Sequence, residues 1–278
     1  MEPIKAAVER LKANRTGGSE RIDRRVSRLP SAQYGSVGGR AADSVAPINE
    51  FWLDPNYLES RRIIAHDGAD PRSKSFDMLR TQILQTMDAK GWQILAVTSP
   101  TPGCGKTFTA VNLALSIARQ PERSVLLVDM DLRQPQVANC LGIQPGEGLI
   151  SVLEGYAAVP DVICQAQVGS FPFLVLPSGG SAAGSAEWMA SKAMGAVLHD
   201  FRRDYRSRIV ILDMPPVLSS DDVIAVLPQI DCLLLVAAAG ITTPAEIQDC
   251  GKHLQSADVV RVVVNKTSEP SAQTYGNY

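Results

Sequence analysis

The sequence lacks paired cysteines, clustered histidines and a long uninterrupted apolar run. Its five cysteines stand apart without a C-x-x-C pair, and its three histidines are far from one another. This spacing provides neither a disulfide framework nor a zinc site and is typical of a reducing compartment. The most apolar segment, Ala225–Ile241, is interrupted by Pro228 and Asp231 and falls short of the roughly 18 residues that a membrane span needs. Because no signal peptide is visible either, we expect a cytoplasmic protein.

Net charge is also low, at −2, but it is unevenly distributed. Residues 1–40 contain nine Lys or Arg and four Asp or Glu, a net charge of +5, which leaves −7 for residues 41–278. A basic arm therefore precedes an acidic body. The hydrophobic fraction of 45% is enough to bury the core of one domain that carries additional segments.

A glycine-containing loop is the most informative motif. Residues 99–107 read SPTPGCGKT and follow the apolar run Ile94–Val97. A strand, such a loop and a Lys-Thr pair that opens a helix form a phosphate cradle, in which backbone N–H groups face an anion while Lys106 serves the β/γ-phosphates and Thr107 a Mg²⁺ ion. Pro100 stands where the strict pattern has its first glycine. The loop predicts binding of a nucleoside triphosphate.

Short apolar runs alternate with stretches of helical hydrophobic spacing, both in the residues just before this loop and in those that follow it. Continuous apolar strands alternating with helices are typical of a parallel sheet covered on both faces, so we expect an α/β P-loop NTPase fold. The predicted strands are Ile94–Val97, Val125–Val128, Phe173–Leu176, Ile209–Leu212, Leu233–Val236 and Val259–Val264. The predicted helices are Ser75–Met87, Thr107–Arg119 and residues 187–203, 221–228 and 244–256.

Hydrophobic patterning divides the chain into four parts. Ile4, Val8 and Leu11 lie at helical spacing, whereas the Gly-, Ser- and Arg-rich stretch that follows has too few large apolar residues to fold. The parts are predicted as a short amphipathic helix (1–15), a flexible linker and strap (16–69), a P-loop domain (70–266) and a tyrosine-containing tail (267–278).

Carboxylates follow two of the predicted strands. Asp129, Asp131 and the nearby Arg133 come after one strand, and Asp213 closes another. Ligands of parallel α/β sheets collect at the carboxyl ends of strands. Carboxylates at that edge would repel a triphosphate unless a divalent cation lay between them, so the pattern predicts a Mg²⁺ site.

Simpler interpretations of these residues remain open. An aspartate after an apolar strand is common in α/β proteins, and taken alone it is about as often a helix cap or turn residue as a functional residue. Asp221 and Asp222 are candidates for starting a helix. Cys104 is interpreted as a small residue filling a variable loop position rather than as a redox centre.

The three motifs together resemble those of the bacterial tyrosine kinases of the capsular and exopolysaccharide type. They are SPTPGCGKT at 99–107, VDMDLR at 128–133 and ILDMPPVLSSDD at 211–222, in the order of that family, and the resemblance covers residues 70–278. Weaker similarity at IKAAVERL (4–11) is to autokinases linked to exosortase-type exopolysaccharide loci.

The resemblance implies a role for each matching residue. Lys106 is implied to hold the β/γ-phosphates, Asp129 to accept the proton of a tyrosine hydroxyl, and Arg133 to organise the acidic loop or steady phosphate. The implied catalytic set is Lys106, Asp129, Asp131 and Asp213, and the implied metal set is Thr107, Asp131 and Asp213. The implied ATP-binding set is Pro102, Gly103, Cys104, Gly105, Lys106, Thr107, Phe108, Arg133 and Asn265, the last at the adenine base.

The resemblance also implies an activity and partners. It indicates an ATP- and Mg²⁺-dependent protein-tyrosine autokinase that regulates exopolysaccharide or capsule synthesis and export, with Tyr275 and Tyr278 as acceptors. The implied partners are a membrane-embedded chain-length or co-polymerase protein as activator, further copies of the same chain and a cognate tyrosine phosphatase, with no nucleic acid. The location would be the inner face of the plasma membrane, reached through the partner.

Two departures from the family pattern bear on these expectations. Family members carry Glu-x-x-Arg-x-x-Arg on the helix before the P-loop strand, which builds a ring of subunits. The corresponding positions here are Lys74, Asp77 and Arg80, which indicates a different interface, a charge-swapped one or no ring. The tyrosine tail is also shorter than is usual in the family.

Two other functions stay open. Partitioning or septum-positioning ATPases share the fold, but they place a second lysine at the position of Thr101. A regulator that binds ATP without transferring phosphate, coupled to a polysaccharide co-polymerase, is the other alternative, and the intact set of Lys106, Asp129 and Asp213 argues against it.

Overall fold

The computed structural model describes residues 49–144, 146–182 and 184–267, which build an eight-stranded sheet. The strands are β1 (Asn49–Trp52), β2 (Ile94–Thr98), β3 (Val125–Asp129), β4 (Cys164–Val168), β5 (Phe171–Leu176), β6 (Ile209–Asp213), β7 (Cys232–Ala238) and β8 (Val259–Asn265). Their order across the sheet is β1-β4-β5-β3-β6-β2-β7-β8. The predicted helix over 1–15 and nearly all of the tyrosine-containing tail lie outside the described residues.

Neighbouring strands run parallel except at β4, which is antiparallel to β5. All six predicted strands are present, so the α/β prediction is confirmed. The sequence did not reveal β1 and β4. Their sequences, NEFW and CQAQV, mix polar and apolar residues because β1 is largely exposed and β4 is fully buried only at alternate positions.

Helices cover both faces of the sheet, and each face has its own apolar cluster. The helices are α1 (Pro55–Ser60), α2 (Lys74–Lys90), α3 (Lys106–Ala118), α4 (Val137–Leu141), α5 (Leu149–Leu153), α6 (Val159–Val162), α7 (Ser185–Met189), α8 (Lys192–Asp204), α9 (Asp222–Val226) and α10 (Pro244–His253). Sequence signals define several of their ends. For example, α10 begins with a capping box between Thr243 and Glu246, and α2 ends at Gly91 in the left-handed conformation.

Strand register brings the predicted acidic residues together. Asp129 at the end of β3 lies opposite Asp213 at the end of β6, and Val97 of β2 lies opposite Asp213 from the other side. The P-loop that follows β2 therefore lies beside both carboxylates.

Residues 49–69, which the sequence assigns to the linker and strap, add structure to the same unit. Strand β1 pairs with β4, and the residues after α1 pack onto α3. The backbone N–H groups of Ile64 and Ala65 donate hydrogen bonds to the buried side chain of Asn112, at 2.9 and 3.0 Å. The apolar side chains of Leu58 and Ile63 are fully buried. The folded unit therefore extends back to Asn49.

A compact charge cluster joins α2 to α3. The Asp77 carboxylate accepts hydrogen bonds from Ser116 Oγ at 2.7 Å, Arg119 Nη1 at 3.0 Å and Arg80 Nη1 at 3.1 Å. Arg80 also donates to the Ser116 carbonyl at 2.9 Å. Asp77 and Arg80, two positions of the altered ring motif, are thus engaged within the subunit.

Asp77→Ala is expected to lower the free energy of unfolding by about 2–4 kcal/mol, because it leaves two largely buried guanidinium groups without their carboxylate. Urea denaturation measures the change. Lys74→Ala, at an exposed position of the same helix, is the control and should change stability by less than about 0.5 kcal/mol. Equal unfolding midpoints for the two variants would show that the cluster does not hold the helices together.

Within the described ranges, no helix combines the length and apolar character required to cross a membrane.

Candidate active site

The P-loop connects β2 to α3 and depends on two glycines. Gly103 and Gly105 have φ angles of +78° and +95°, a region that side chains with a Cβ rarely adopt. A Cβ on Gly105 would lie 2.2 Å from Asn265 Nδ2, whereas a Cβ on Gly103 would meet no atom within 4 Å. Asn265 Nδ2 donates to the Cys104 carbonyl at 3.0 Å, so the end of β8 braces the loop.

The first half of the loop is fixed without a glycine at Pro100. The Pro100 carbonyl accepts the Leu218 N–H at 3.1 Å, and the Ser99 carbonyl accepts the Val217 N–H at 2.8 Å. These bonds tie the loop to the segment that follows β6. The segment after Asp213 is therefore hydrogen-bonded directly to the P-loop backbone.

Lys106 lies between two carboxylates that come from different strands. Its Nζ is 2.8 Å from Asp131 Oδ2 and 3.8 Å from Asp213 Oδ1. Burial opposes the charged form, but the carboxylates of Asp213, Asp131 and Asp129 outweigh it, so the pKa of Lys106 is raised. The lysine is a permanent cation at the edge of the sheet.

Thr107 and Asp213 form the second part of the site. Thr107 Oγ1 donates to Asp213 Oδ2 at 2.6 Å. Asp213 is completely buried, and its Oδ1 makes no hydrogen bond to any of the described residues. A buried carboxylate oxygen without a donor, beside a threonine hydroxyl, fits a hard divalent cation.

The described residues contain no group of three or more His, Cys, Asp or Glu side chains that could hold a metal by themselves. Mg²⁺ commonly uses one or two carboxylates together with substrate phosphates, so the donors present fit an ion that arrives with a nucleotide.

Two of the aspartates have strongly perturbed acidities. Burial, and then repulsion from Asp213, raise the pKa of Asp129 to about 8. Burial raises the pKa of Asp213 to about 6, although Lys106 and Thr107 oppose the shift. These pKa values mark a cluster with more negative charge than one lysine can balance.

Asp129 and Asp131 also organise the chain around them. The Asp129 carboxylate accepts the Val137 N–H at 2.9 Å and the Asp131 N–H at 3.3 Å. Asp131 Oδ1 accepts the Gln134 N–H at 3.0 Å. The turn-residue interpretation therefore also applies to these aspartates, because each fixes backbone in addition to facing the site.

Arg133 contacts side chains from two other segments of the chain. Its Nε donates to Ser185 Oγ at 2.7 Å, and its Nη2 is 3.5 Å from Asp222 Oδ1. Ser185 Oγ in turn donates to Asp222 Oδ2 at 2.8 Å. Asp222 begins α9, as one interpretation of the sequence had it, but its side chain is buried in this contact rather than capping the helix. No sequence motif pointed to Ser185.

The remaining predicted site residues are spread along the loop and beyond it. Phe108 packs edge-on against Phe76, with ring centroids 5.6 Å apart. Pro102 is exposed, and Cys104 is buried with its Sγ 3.4 Å from Thr242 Oγ1. Tyr275 and Tyr278 lie outside the described residues.

The parallel sheet, the glycine-dependent loop and the Lys-Thr pair at the start of α3 define a P-loop nucleoside-triphosphate-binding protein. A family model described as NUBPL iron-transfer P-loop NTPase, of the ParA type, matches residues 91–265. Since the match spans more than half of the chain, the chain belongs to this family of P-loop NTPases.

Sequence relatives carry the name tyrosine-protein kinase. One relative, from Ralstonia nicotianae, is named as a tyrosine-protein kinase, EpsB, and the chain is 32% identical to it over 221 residues. A second is tyrosine-protein kinase Etk of Escherichia coli strain K12, to which the chain is 31% identical over 191 residues. These matches cover 79% and 69% of this chain but only 28% and 26% of the relatives. The chain spans less than a third of the length of the curated relatives that it matches.

A solved structure extends the similarity. The BceF tyrosine kinase domain superimposes with a TM-score of 0.59 at 29% identity, over 70% of this chain and 77% of that domain. The predicted resemblance to bacterial tyrosine kinases is confirmed by these relatives.

Proposed function

We propose that this chain is the catalytic part of an ATP- and Mg²⁺-dependent protein-tyrosine autokinase that regulates exopolysaccharide or capsule synthesis and export. The observation that supports it most is the position of Lys106 between Asp131 and Asp213, with Thr107 bonded to Asp213. This is the donor set for a metal-bound triphosphate. Because relatives of the chain are named tyrosine-protein kinases, we infer that the phosphate acceptor is a protein tyrosine.

In this proposal each residue has one task. Lys106 moves from its carboxylates to the β- and γ-phosphates, and the backbone N–H groups from Gly103 to Thr107 surround the phosphate oxygens. Thr107, Asp213 and Asp131 hold Mg²⁺, directly or through water. When bound, the ion neutralises the charge that develops on the transferred phosphoryl group.

Asp129 is the proposed proton acceptor. A tyrosine hydroxyl has a pKa near 10 and needs a base at neutral pH. In the free protein burial raises the pKa of Asp129 to about 8, so the group is largely protonated at neutral pH and can accept the tyrosine proton only once Mg²⁺ and nucleotide have displaced its own. Since Val137 fixes its Oδ2, the proton would pass to Oδ1, which makes only the longer, 3.3 Å contact with the Asp131 N–H.

The proposed acceptors are Tyr275 and Tyr278. Strand β8 ends at Asn265, which contacts the P-loop, so the tail starts at the edge where the triphosphate would bind. This supports transfer to the tail of the same or a neighbouring copy. The other proposed partners are a membrane-embedded polysaccharide co-polymerase as activator and a cognate tyrosine phosphatase.

Incubation with γ-labelled ATP and Mg²⁺ tests the proposal. The wild-type chain should acquire label on tyrosine, and the double variant Tyr275→Phe, Tyr278→Phe should lose most of it. Phosphopeptide mass spectrometry would locate the modified residues.

The matched control is Tyr156→Phe. Tyr156 is 81% exposed, whereas Tyr205 is buried and the Tyr57 hydroxyl donates to the Asn139 carbonyl. We expect this control to retain wild-type labelling. Label that persists in the double variant but disappears with Tyr156→Phe would refute the tail as acceptor. No tyrosine label on the wild type would refute the kinase.

A further inference from the structure

Arg133, Ser185 and Asp222 come from three different loops and form a closed set of contacts. Arg133 follows β3, Ser185 begins α7 and Asp222 begins α9. The arginine donates to the serine at 2.7 Å, the serine donates to the aspartate at 2.8 Å, and the arginine is 3.5 Å from the second oxygen of the aspartate. We call this set the loop clamp.

Burial fixes the geometry of the loop clamp. Ser185 and Asp222 are fully buried, whereas the Arg133 side chain is 49% exposed. Asp222 Oδ1 has no hydrogen-bond donor in the part of the chain that the structure describes, and the guanidinium of Arg133 is its counter-charge there. Burial raises the pKa of Asp222, and the Ser185 and Arg133 contacts oppose the shift. A buried carboxylate is strongly unfavourable without such partners, so the arginine is held in place.

On one side the loop clamp controls the turn that contains Asp131. Arg133 is two residues further along this turn, and Asp131 Oδ1 accepts the Gln134 N–H at 3.0 Å. The carbonyl of the intervening Leu132 accepts the Ala182 N–H at 2.8 Å, which ties the turn to the segment before α7. Holding Arg133 therefore holds the Asp131 carboxylate.

On the other side the loop clamp ends the segment that starts at Asp213. The middle of this segment is bonded to the P-loop through the Val217 and Leu218 N–H groups. Asp222 fixes its far end. The two carboxylate-bearing loops are thus joined at Arg133 and Asp222.

We propose that Ser185 and Asp222 are positioning residues that act through Arg133. By fixing this arginine, they set the separation of Asp131 and Asp213 on either side of the P-loop lysine before any ligand binds. Groups that orient metal-binding carboxylates reduce the rearrangement needed when the cation arrives. The inference rests on the proposed function, because it assumes that these two carboxylates serve a Mg²⁺–nucleotide complex.

Titration calorimetry of the full chain with ADP, with and without Mg²⁺, tests the proposal. For Asp222→Asn we expect ADP affinity without Mg²⁺ to stay near that of the wild type, because the P-loop is intact. The gain in affinity produced by Mg²⁺ should fall by about 10- to 100-fold. Asp221→Asn, which changes the exposed neighbour, should retain the full gain.

A purely structural role predicts a different result. It would reduce the fraction of protein that binds ADP and leave the Mg²⁺-dependent gain unchanged, which would overturn the proposal. If Asp222→Asn does not fold, Ser185→Ala takes its place, and a wild-type gain in that variant would overturn the proposal equally. If the wild-type chain binds ADP more tightly with Mg²⁺ but forms no phosphotyrosine, the proposed kinase activity is refuted. The positioning role of the loop clamp would still be supported if its variants showed a smaller Mg²⁺-dependent gain in ADP affinity. A wild-type chain with no gain would refute both.

Discussion

Lys106→Met should abolish tyrosine phosphorylation, with a loss of at least about 10³-fold in rate. The ammonium group is the one side-chain cation within 4 Å of Asp131 and Asp213 among the described residues, and methionine keeps the length of the side chain without the charge. Without the ammonium group, the γ-phosphoryl group would lie beside the Asp131 and Asp213 carboxylates with no side-chain cation to offset their repulsion. Anti-phosphotyrosine detection after incubation with ATP measures the effect.

The same substitution should also destabilise the free protein. Removing one partner of a buried ion pair costs about 3–5 kcal/mol, because the remaining charge has neither water nor a counter-ion. Mg²⁺ alone should therefore raise the melting temperature of Lys106→Met more than that of the wild type, since the ion replaces the lost positive charge.

Lys252→Met is the matched control. Lys252 is exposed and pairs with Asp249 on the helix surface, so its replacement should leave activity, stability and the response to Mg²⁺ unchanged. Retained phosphotyrosine in Lys106→Met would show that the P-loop lysine does not act on the transferred phosphate.

The features that the sequence predicted well are those encoded by local pattern. Strands such as β2 and β3 are buried on both faces, so all their residues are apolar except the polar residue at the end of each strand. The residues that end β3 and β6, Asp129 and Asp213, lie opposite each other because the strands are parallel and in register. The sequence could therefore predict that these aspartates lie beside the P-loop, because the strands that carry them are parallel neighbours in one sheet.

The parts of the site that the sequence did not reveal depend on contacts between distant segments. Ser185 has no motif around it, and its role is visible only when Arg133 and Asp222 meet it in space. Asn265 was expected at the adenine base, and its side chain is found bonded to the Cys104 carbonyl, a contact that spans most of the domain in sequence. Adenine recognition by this residue remains a prediction.

The stability of the free protein should fall as pH rises from about 5 to 8, because the native state holds a proton on Asp129 that the unfolded chain releases. The native pKa is about 8, against a reference value of 3.8 for an unfolded aspartate. Between these values the native state binds more protons than the unfolded state, so the free energy of unfolding decreases with pH. At about 1.4 kcal/mol for each pKa unit, the change between pH 5 and 8 is on the order of 4 kcal/mol.

Asp129→Asn should remove most of this dependence. The residual slope, which comes from Asp213, ends near its pKa of about 6. Above pH 7 the variant should therefore be more stable than the wild type, while it loses the proposed proton acceptor and with it the kinase activity. Urea denaturation between pH 5 and 8.5 measures both curves. Asp221→Asn, at an exposed position, should follow the wild type.

Mg²⁺ and ADP should flatten the wild-type curve, because a cation among the aspartates takes over the role of the proton. The asparagine variant should show a smaller change, since less negative charge needs compensation. Parallel curves for the wild type and Asp129→Asn would contradict the raised pKa of Asp129. The expected crossing, in contrast, would mean that the protein maintains an unfavourable cluster of carboxylates that is relieved only when a metal-bound nucleotide enters the site.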